Sequence, residues 1–124
     1  MATRELTASN FDGTITGNNI VIVDFWAEWC GPCRMFAPTF ETASEAHPEI
    51  VFGKVNTEVE QQLAAMAGIQ SIPTLMVFRE QVLVFSQPGA LPAPQFEELI
   101  NAVEGLDMAE VHRQVAEARD NQQG

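Results

Sequence analysis

Hydrophobic positions follow two rhythms along this chain, continuous short runs and stripes at helical spacing. Ile20, Val21, Ile22 and Val23 form an unbroken apolar run that passes through Asp24 to Phe25 and Trp26. Such a run predicts a strand covered on both faces, as in the middle of a parallel sheet. After Cys33 the rhythm changes. Met35, Phe36, Phe40 and Ala43 predict a helix to about residue 46, bent at the internal Pro38. A strand over 50–55 follows, then a helix over about 58–67 closed by Gly68. Residues 74–79 and 82–86 read as an antiparallel hairpin joined only by Glu80 and Gln81. A two-residue turn needs positive φ, which Glu and Gln resist, so a looser turn or a bulge is expected. Pro94 starts a helix whose inner face is Phe96, Leu99, Ile100 and Val103, ended by Gly105. At the other end, residues 3–7 suit a short edge strand, and Ser9 offers an N-cap for a weak helical turn around Phe11, interrupted by Gly13 and Gly17.

Strand and helix alternating at these lengths predict βαβ units with right-handed crossovers, hence an α/β fold with a central mixed sheet flanked by helices. The predicted domain covers 1–105. Residues 106–124 form an extension, helical to about 119 and then a polar, frayed tail. Asp107 with Glu110 resembles a capping box, and Met108, Val111 and Val115 share one stripe, so this added helix is expected to dock on the domain. No internal repeat is visible.

At 124 residues and 46% hydrophobic, the chain suits one domain with a core. Six basic against 17 acidic residues give a net charge of −11, which argues against nucleic-acid or anionic-membrane surfaces. Solubility accounts for that acidity most simply; steering of partners is the other reading. The first ten residues lack a basic-then-apolar signal pattern, and no apolar run reaches membrane-span length. A reducing cytoplasm is the expected compartment.

The chemistry concentrates at Cys30-Gly31-Pro32-Cys33, where the strand turns into the helix. Residues i and i+3 on a helix stand roughly 5–6 Å apart, so the two thiols can close a disulfide with little distortion. Free backbone N–H groups of the first turn and the helix dipole stabilise a thiolate there, and Pro32 suits a helix start. Cys30 is expected as the exposed nucleophile and Cys33 as the more buried resolving thiol, the division of labour that thiol–disulfide exchange requires. Two competing readings are a zinc site, for which His47 and His112 are the other candidates and both are distant in sequence, and a purely structural bridge, which closes too short a loop to staple much. Neither histidine is assigned a role. Asp24 ends an apolar buried strand, where ionisation is costly and its pKa should rise. Xaa-Pro bonds alone adopt the cis form readily, and a cis Ile72–Pro73 bond would bring the Ile72 backbone to the thiols, free to pair with an extended substrate segment.

The segment Trp26-Ala27-Glu28-Trp29-Cys30-Gly31-Pro32-Cys33, preceded by Val23-Asp24-Phe25, resembles the active-site segment of the thioredoxin family. Ser71-Ile72-Pro73-Thr74-Leu75 resembles that family's cis-proline loop, and Pro88-Gly89-Ala90 its glycine-bearing rim. Order and spacing match from about residue 4 to 103. The resemblance implies a protein-disulfide reductase with no bound cofactor and no metal, a monomer acting on disulfide-containing proteins and recycled by an NADPH-dependent flavoprotein reductase. It implies that Asp24 assists proton transfer at the resolving thiol, that Lys54 faces that carboxylate, and that Gly31 and Pro32 support the thiols. Trp29, Ile72, Pro73 and Gly89 would form the substrate-contacting rim, with Trp26 in a packing role. The family tolerates a proline at the position of Pro38. An oxidase or isomerase of the same fold is a second possibility, weakened by Gly-Pro between the cysteines; a binding module gripping partners through the same rim is a third.

Overall fold

A computed structural model describes residues 2–123. Its elements run β1 (Thr3–Glu5), α1 (Phe11–Gly17), β2 (Ile20–Trp26), α2 (Gly31–Ala46), β3 (Val51–Asn56), α3 (Gln61–Met66), β4 (Thr74–Arg79), β5 (Val82–Pro88), α4 (Ala93–Glu104) and α5 (Met108–Gln123). The strands form one sheet in the order β1-β3-β2-β4-β5. β1 and β2 run parallel to β3, while β4 is antiparallel to both β2 and β5. The apolar run of β2 therefore lies at the sheet's centre, and six of its seven residues are buried. The α/β fold with a mixed sheet, flanking helices and a further C-terminal helix is the one expected from the pattern.

Side chains alternate across the sheet and build a core on each face. On one, Ile20 and Ile22 of β2, Phe52 of β3 and Leu75 and Val77 of β4 meet Phe36 and Phe40 of α2 and Phe96 and Ile100 of α4. Four phenylalanines interlock there, with ring centroids of Phe40 and Phe52 5.4 Å apart and of Phe36 and Phe96 also 5.4 Å apart, both edge-on. On the other face Val21, Val23 and Phe25 pack with Ile15 of α1 and with Leu6, while Leu63 of α3 lies against them. Gly53 is required by a close approach: a Cβ there would fall 2.3 Å from Leu6 Cδ1, and Leu6 is buried.

Several boundaries differ from the sequence-based expectation. Ser9 is not the cap of α1; Asn10 occupies that place without a side-chain cap bond, and the Ser9 hydroxyl pairs with that of Thr7. The helix runs through Gly13 to Gly17, because Ile15 is anchored in the core. α3 is shorter than predicted, since residues 57–59 form a turn before it and Glu60 is its N-cap. α2 is continuous through Pro38. α5 reaches Gln123, so the frayed tail expected beyond residue 119 is helical instead, and Gly124 lies outside the described residues. The first part of this helix carries ion pairs of Arg113 with Glu110 and Glu117 at helical spacing. The expected capping contact is present, with Glu110 N–H donating to Asp107 Oδ1 at 3.2 Å.

The hairpin turn is tight rather than loose. Glu80 and Gln81 both take positive φ, 50° and 69°, and Arg79 pairs directly with Val82. The expected bulge does occur, further along: the register shifts between Val77 and Phe78, leaving Val84 as the extra residue. Context holds the turn, because Glu80 N–H donates to Asn19 O at 2.8 Å and its carboxylate meets His112 Nε2 at 2.8 Å.

Candidate active site

The end of β2 is pinned from β3: Thr57 N–H and Oγ1–H both donate to Trp26 O, at 2.9 and 3.0 Å. The chain then turns, Cys30 N–H donating to Ala27 O at 3.3 Å, and enters α2 with Cys30 as its N-cap. Gly31 and Pro32 fill the first two helical positions, where Pro32's missing N–H leaves nothing unpaired. Cys33 is third, and its N–H donates to Cys30 Sγ at 3.2 Å. A free amide at a helix start thus points at the sulfur of Cys30, favouring negative charge on it. The two cysteines are joined as a disulfide, with Cα atoms 5.2 Å apart.

The expected contrast in exposure is absent. Cys30 is 3% exposed and Cys33 2%, so Cys30 is not the open nucleophile that its sequence position suggested. The bond draws both sulfurs together among Ala27, Trp26 and Ile72, which cover them. What separates the pair is direction. Cys30 Sγ lies 3.8 Å from Ile72 O at the molecular rim, whereas Cys33 shares a helix face with Phe36 and Phe40 and looks into the core.

Asp24 stands on the same face of β2 as Ile20 and Ile22. β2 runs toward the turn and α2 runs back over it, with Ile20 and Ile22 packed in one core with Ala43, Phe40 and Phe36. Asp24 therefore underlies the first turn of α2. Its carboxylate is fully buried, and neither oxygen has a hydrogen-bond partner. Desolvation pushes its pKa up from 3.8 to about 7, against the opposing pull of the Lys54 charge. Lys54 is the cross-strand neighbour of Asp24 in the sheet register. Its ammonium does not reach the carboxylate; it sits over the Trp26 ring, 4.7 Å from the centroid. Trp26 is thus a half-buried platform for that lysine as well as packing for the disulfide.

The Ile72–Pro73 peptide is cis. Pro73 O accepts from Gly89 N–H at 2.8 Å, tying the loop to the end of β5, and Gly89 takes a φ of 104° that suits glycine alone. Ile72, Pro73 and Gly89 therefore stand together beside Cys30, with Trp29, 67% exposed, across from them. A cavity of about 500 Å³ opens between Trp29 and Ile72 and extends along α3, bounded by Gln61, Ala65 and Gln70. Sequence reasoning missed these α3 and loop residues. Their only trace was the low charge of residues 61–72 in a strongly acidic chain. His47, assigned no role from the sequence, is largely covered and bonds Glu97 through Nε2 at 2.9 Å.

A redox-active cysteine pair capping a helix at the carboxyl end of a central strand, facing a cis-proline loop, defines a dithiol–disulfide oxidoreductase of the α/β class. The thioredoxin family model matches residues 2–103. A thioredoxin-named protein of Streptomyces coelicolor is 57% identical over 116 residues, covering 94% of this chain and 87% of the relative. A thioredoxin of Alicyclobacillus acidocaldarius is 43% identical over 97 residues, 77% of this chain and 92% of the relative. Among solved structures, a Plasmodium falciparum thioredoxin superposes with a TM-score of 0.75 at 35% identity, covering 81% of this chain and 98% of that one. The chain belongs to the thioredoxin family. It is a protein-disulfide oxidoreductase working through the Cys30–Cys33 pair on disulfide-containing proteins. No helix of the described residues is long and apolar enough to cross a membrane.

Proposed function

We propose that Cys30 is the attacking sulfur and Cys33 the resolving one, with Asp24 as the proton acceptor for Cys33. In the reduced protein the Cys30 thiolate attacks one sulfur of a substrate disulfide, a mixed disulfide forms, and the other substrate sulfur departs as a thiolate. Cys33 then loses its proton and attacks Cys30 Sγ, releasing the second substrate thiolate. The substrate gains two electrons and the Cys30–Cys33 disulfide holds the oxidised form. The observation that carries these roles is the Cys33 N–H aimed at Cys30 Sγ, which favours negative charge on Cys30. Asp24, held near neutrality by burial, takes a proton at the pH where the reaction runs.

Trp29, Ile72, Pro73 and Gly89 form the contact rim, where the Ile72 backbone is placed to pair with an extended substrate strand. Gly31 keeps the approach to Cys30 open, having nothing within 4 Å of where a Cβ would stand. Pro32 presets the helix start and Lys54 tempers the charge on Asp24. The oxidised form is returned to the dithiol by a thioredoxin reductase, an NADPH-dependent flavoprotein, and the protein acts as a monomer in the cytoplasm. Exchange between sulfurs requires no further group. The roles are tested with single variants and a protein disulfide: Cys33→Ser should accumulate a mixed disulfide on Cys30, and Cys30→Ser should accumulate none. Trapping on Cys33 in the Cys30→Ser protein at a comparable rate would reverse the assignment.

A further inference from the structure

At the end of α2 farthest from the cysteines, His47 brings together two helices and a turn. It is the C-cap of α2, its N–H donating to Ala43 O at 3.0 Å. Pro48 follows, and Ile50 N–H closes the turn onto His47 O at 3.0 Å, which sets Glu49 beside the ring. Glu97 and Glu104 come from α4, two turns apart on one face. Glu97 Oε2 lies 2.9 Å from His47 Nε2, and Glu49 Oε1 lies 3.4 Å from Nδ1. His47, Glu49 and Glu104 each offer one donor atom, and these three atoms lie within 4.8 Å of one another. Among the described residues, Glu49 and Glu97 form their ion pairs with His47 alone.

A carboxylate only accepts, so the bond to Glu97 puts the ring hydrogen of a neutral His47 on Nε2. Nδ1 is then a lone pair facing Glu49, and two acceptors 3.4 Å apart need a positive centre between them. We infer that a divalent transition-metal ion of the zinc type binds here, held by His47 Nδ1 and the carboxylates of Glu49 and Glu104, with Glu97 fixing the ring from behind. Zinc takes imidazole nitrogen and carboxylate oxygen at roughly 2.0–2.2 Å in tetrahedral geometry, which sets neighbouring ligand atoms about 3.4 Å apart. Nδ1 and Glu49 Oε1 already stand at that separation, and the exposed Glu104 side chain closes the remaining gap by a change of rotamer. Water fills the fourth position. A carboxylate on the far nitrogen is the usual companion of a metal-bound histidine, because it selects the tautomer and makes the ring a stronger ligand. The setting favours a cation independently of these side chains. His47 caps the C-terminus of α2 and Glu104 is the last residue of α4, so the negative ends of two helix dipoles meet there. Magnesium, which prefers six oxygens, gains nothing from the imidazole. The 16 residues of α2 place this site about 24 Å from Cys30, so it is separate from the redox pair. The bound ion ties α2, the turn into β3 and α4 together.

The test titrates zinc chloride into the full-length oxidised protein at pH 7.5 by calorimetry, with magnesium chloride as the comparison ion. Oxidation matters, because the Cys30–Cys33 bond leaves no free thiol to take the metal. One zinc per chain is expected, bound about 100-fold or more tightly than magnesium. Glu104→Gln alters an exposed side chain and should weaken zinc by about tenfold or more, and Glu97→Gln should do so by roughly 10–100-fold through the ring. His47→Gln should abolish the site, while His112→Gln should bind zinc as the wild type does. Zinc should also raise the unfolding temperature of the wild type and leave that of Glu104→Gln unchanged. No zinc binding would mean that Nδ1 meets Glu49 through a proton alone, and the inference would be overturned. Zinc held no more tightly than magnesium, or equally tightly by Glu104→Gln and wild type, would overturn it too, reducing the cluster to a diffuse acidic surface.

Discussion

Asp24 must ionise where water does not reach it, and its two partnerless oxygens make the cost visible. A folded-state pKa of about 7 against 3.8 means that the native protein retains a proton that the unfolded chain releases between those values. Stability therefore falls as pH rises through that window and is level above it, at about 1.4 kcal/mol per pH unit inside the window. Asp24→Asn removes the titration. Denaturant midpoints at pH 5 and pH 8 should show wild type losing roughly 2–3 kcal/mol and the variant losing little, with the variant the more stable of the two at pH 8. Parallel losses in both proteins would assign the pH dependence elsewhere. The same substitution should slow resolution of mixed disulfides at neutral pH. The burial of this acid was legible from its place in an apolar run, as was the pairing of the thiols from their spacing. The covering of Cys30 was not, because Ile72 and Trp26 arrive from other elements to close over it. Nor was the seat of Lys54 on the Trp26 ring, which depends on where a long side chain finds an aromatic face rather than on register.

Among the elements, the hairpin between β4 and β5 and the added helix α5 support each other. Arg79 Nη1 donates to the carbonyls of Val103, Glu104 and Leu106, at 2.7, 3.1 and 3.2 Å, and so ties the sheet to the end of α4 and the start of the extension. Met108 is buried, Val111 and Val115 are partly so, and His112 meets Glu80. Truncation after Gly105 should lower stability by about 2 kcal/mol, near the value of one buried large apolar side chain, while disulfide reduction stays nearly intact. An unchanged midpoint would mean that α5 contributes nothing by docking. Gln81 takes left-handed backbone at φ 69°, where a Cβ is unfavourable by about 1 kcal/mol, so Gln81→Gly should raise stability by that amount in thermal or denaturant unfolding. A loss of stability would show that the Gln81 side chain holds the turn. Periodicity was enough to locate β2, an apolar run buried on both faces, and α2 and α4, which each present an apolar face to the sheet. It failed for the turn, where bonds from Asn19 and His112 outweigh the local preference, and for the end of α5, whose polar sequence continues a helix already nucleated against β5.

At the scale of the whole molecule, one sheet with a core on each face holds an oxidisable pair at the end of its central strand. A net charge of −11 surrounds a rim that exposes Trp29. Two sulfurs at one helix start exchange a bond with a third, that of the substrate. That claim is tested most directly by following reduction of insulin disulfides with dithiothreitol as the electron source. The wild-type protein should accelerate the reaction catalytically, many insulin molecules for each protein molecule, and Cys30→Ser should return it to the dithiothreitol background. A wild-type rate equal to that background, with the protein folded and its Cys30–Cys33 bond reduced, would contradict the assignment of disulfide reductase chemistry to this pair.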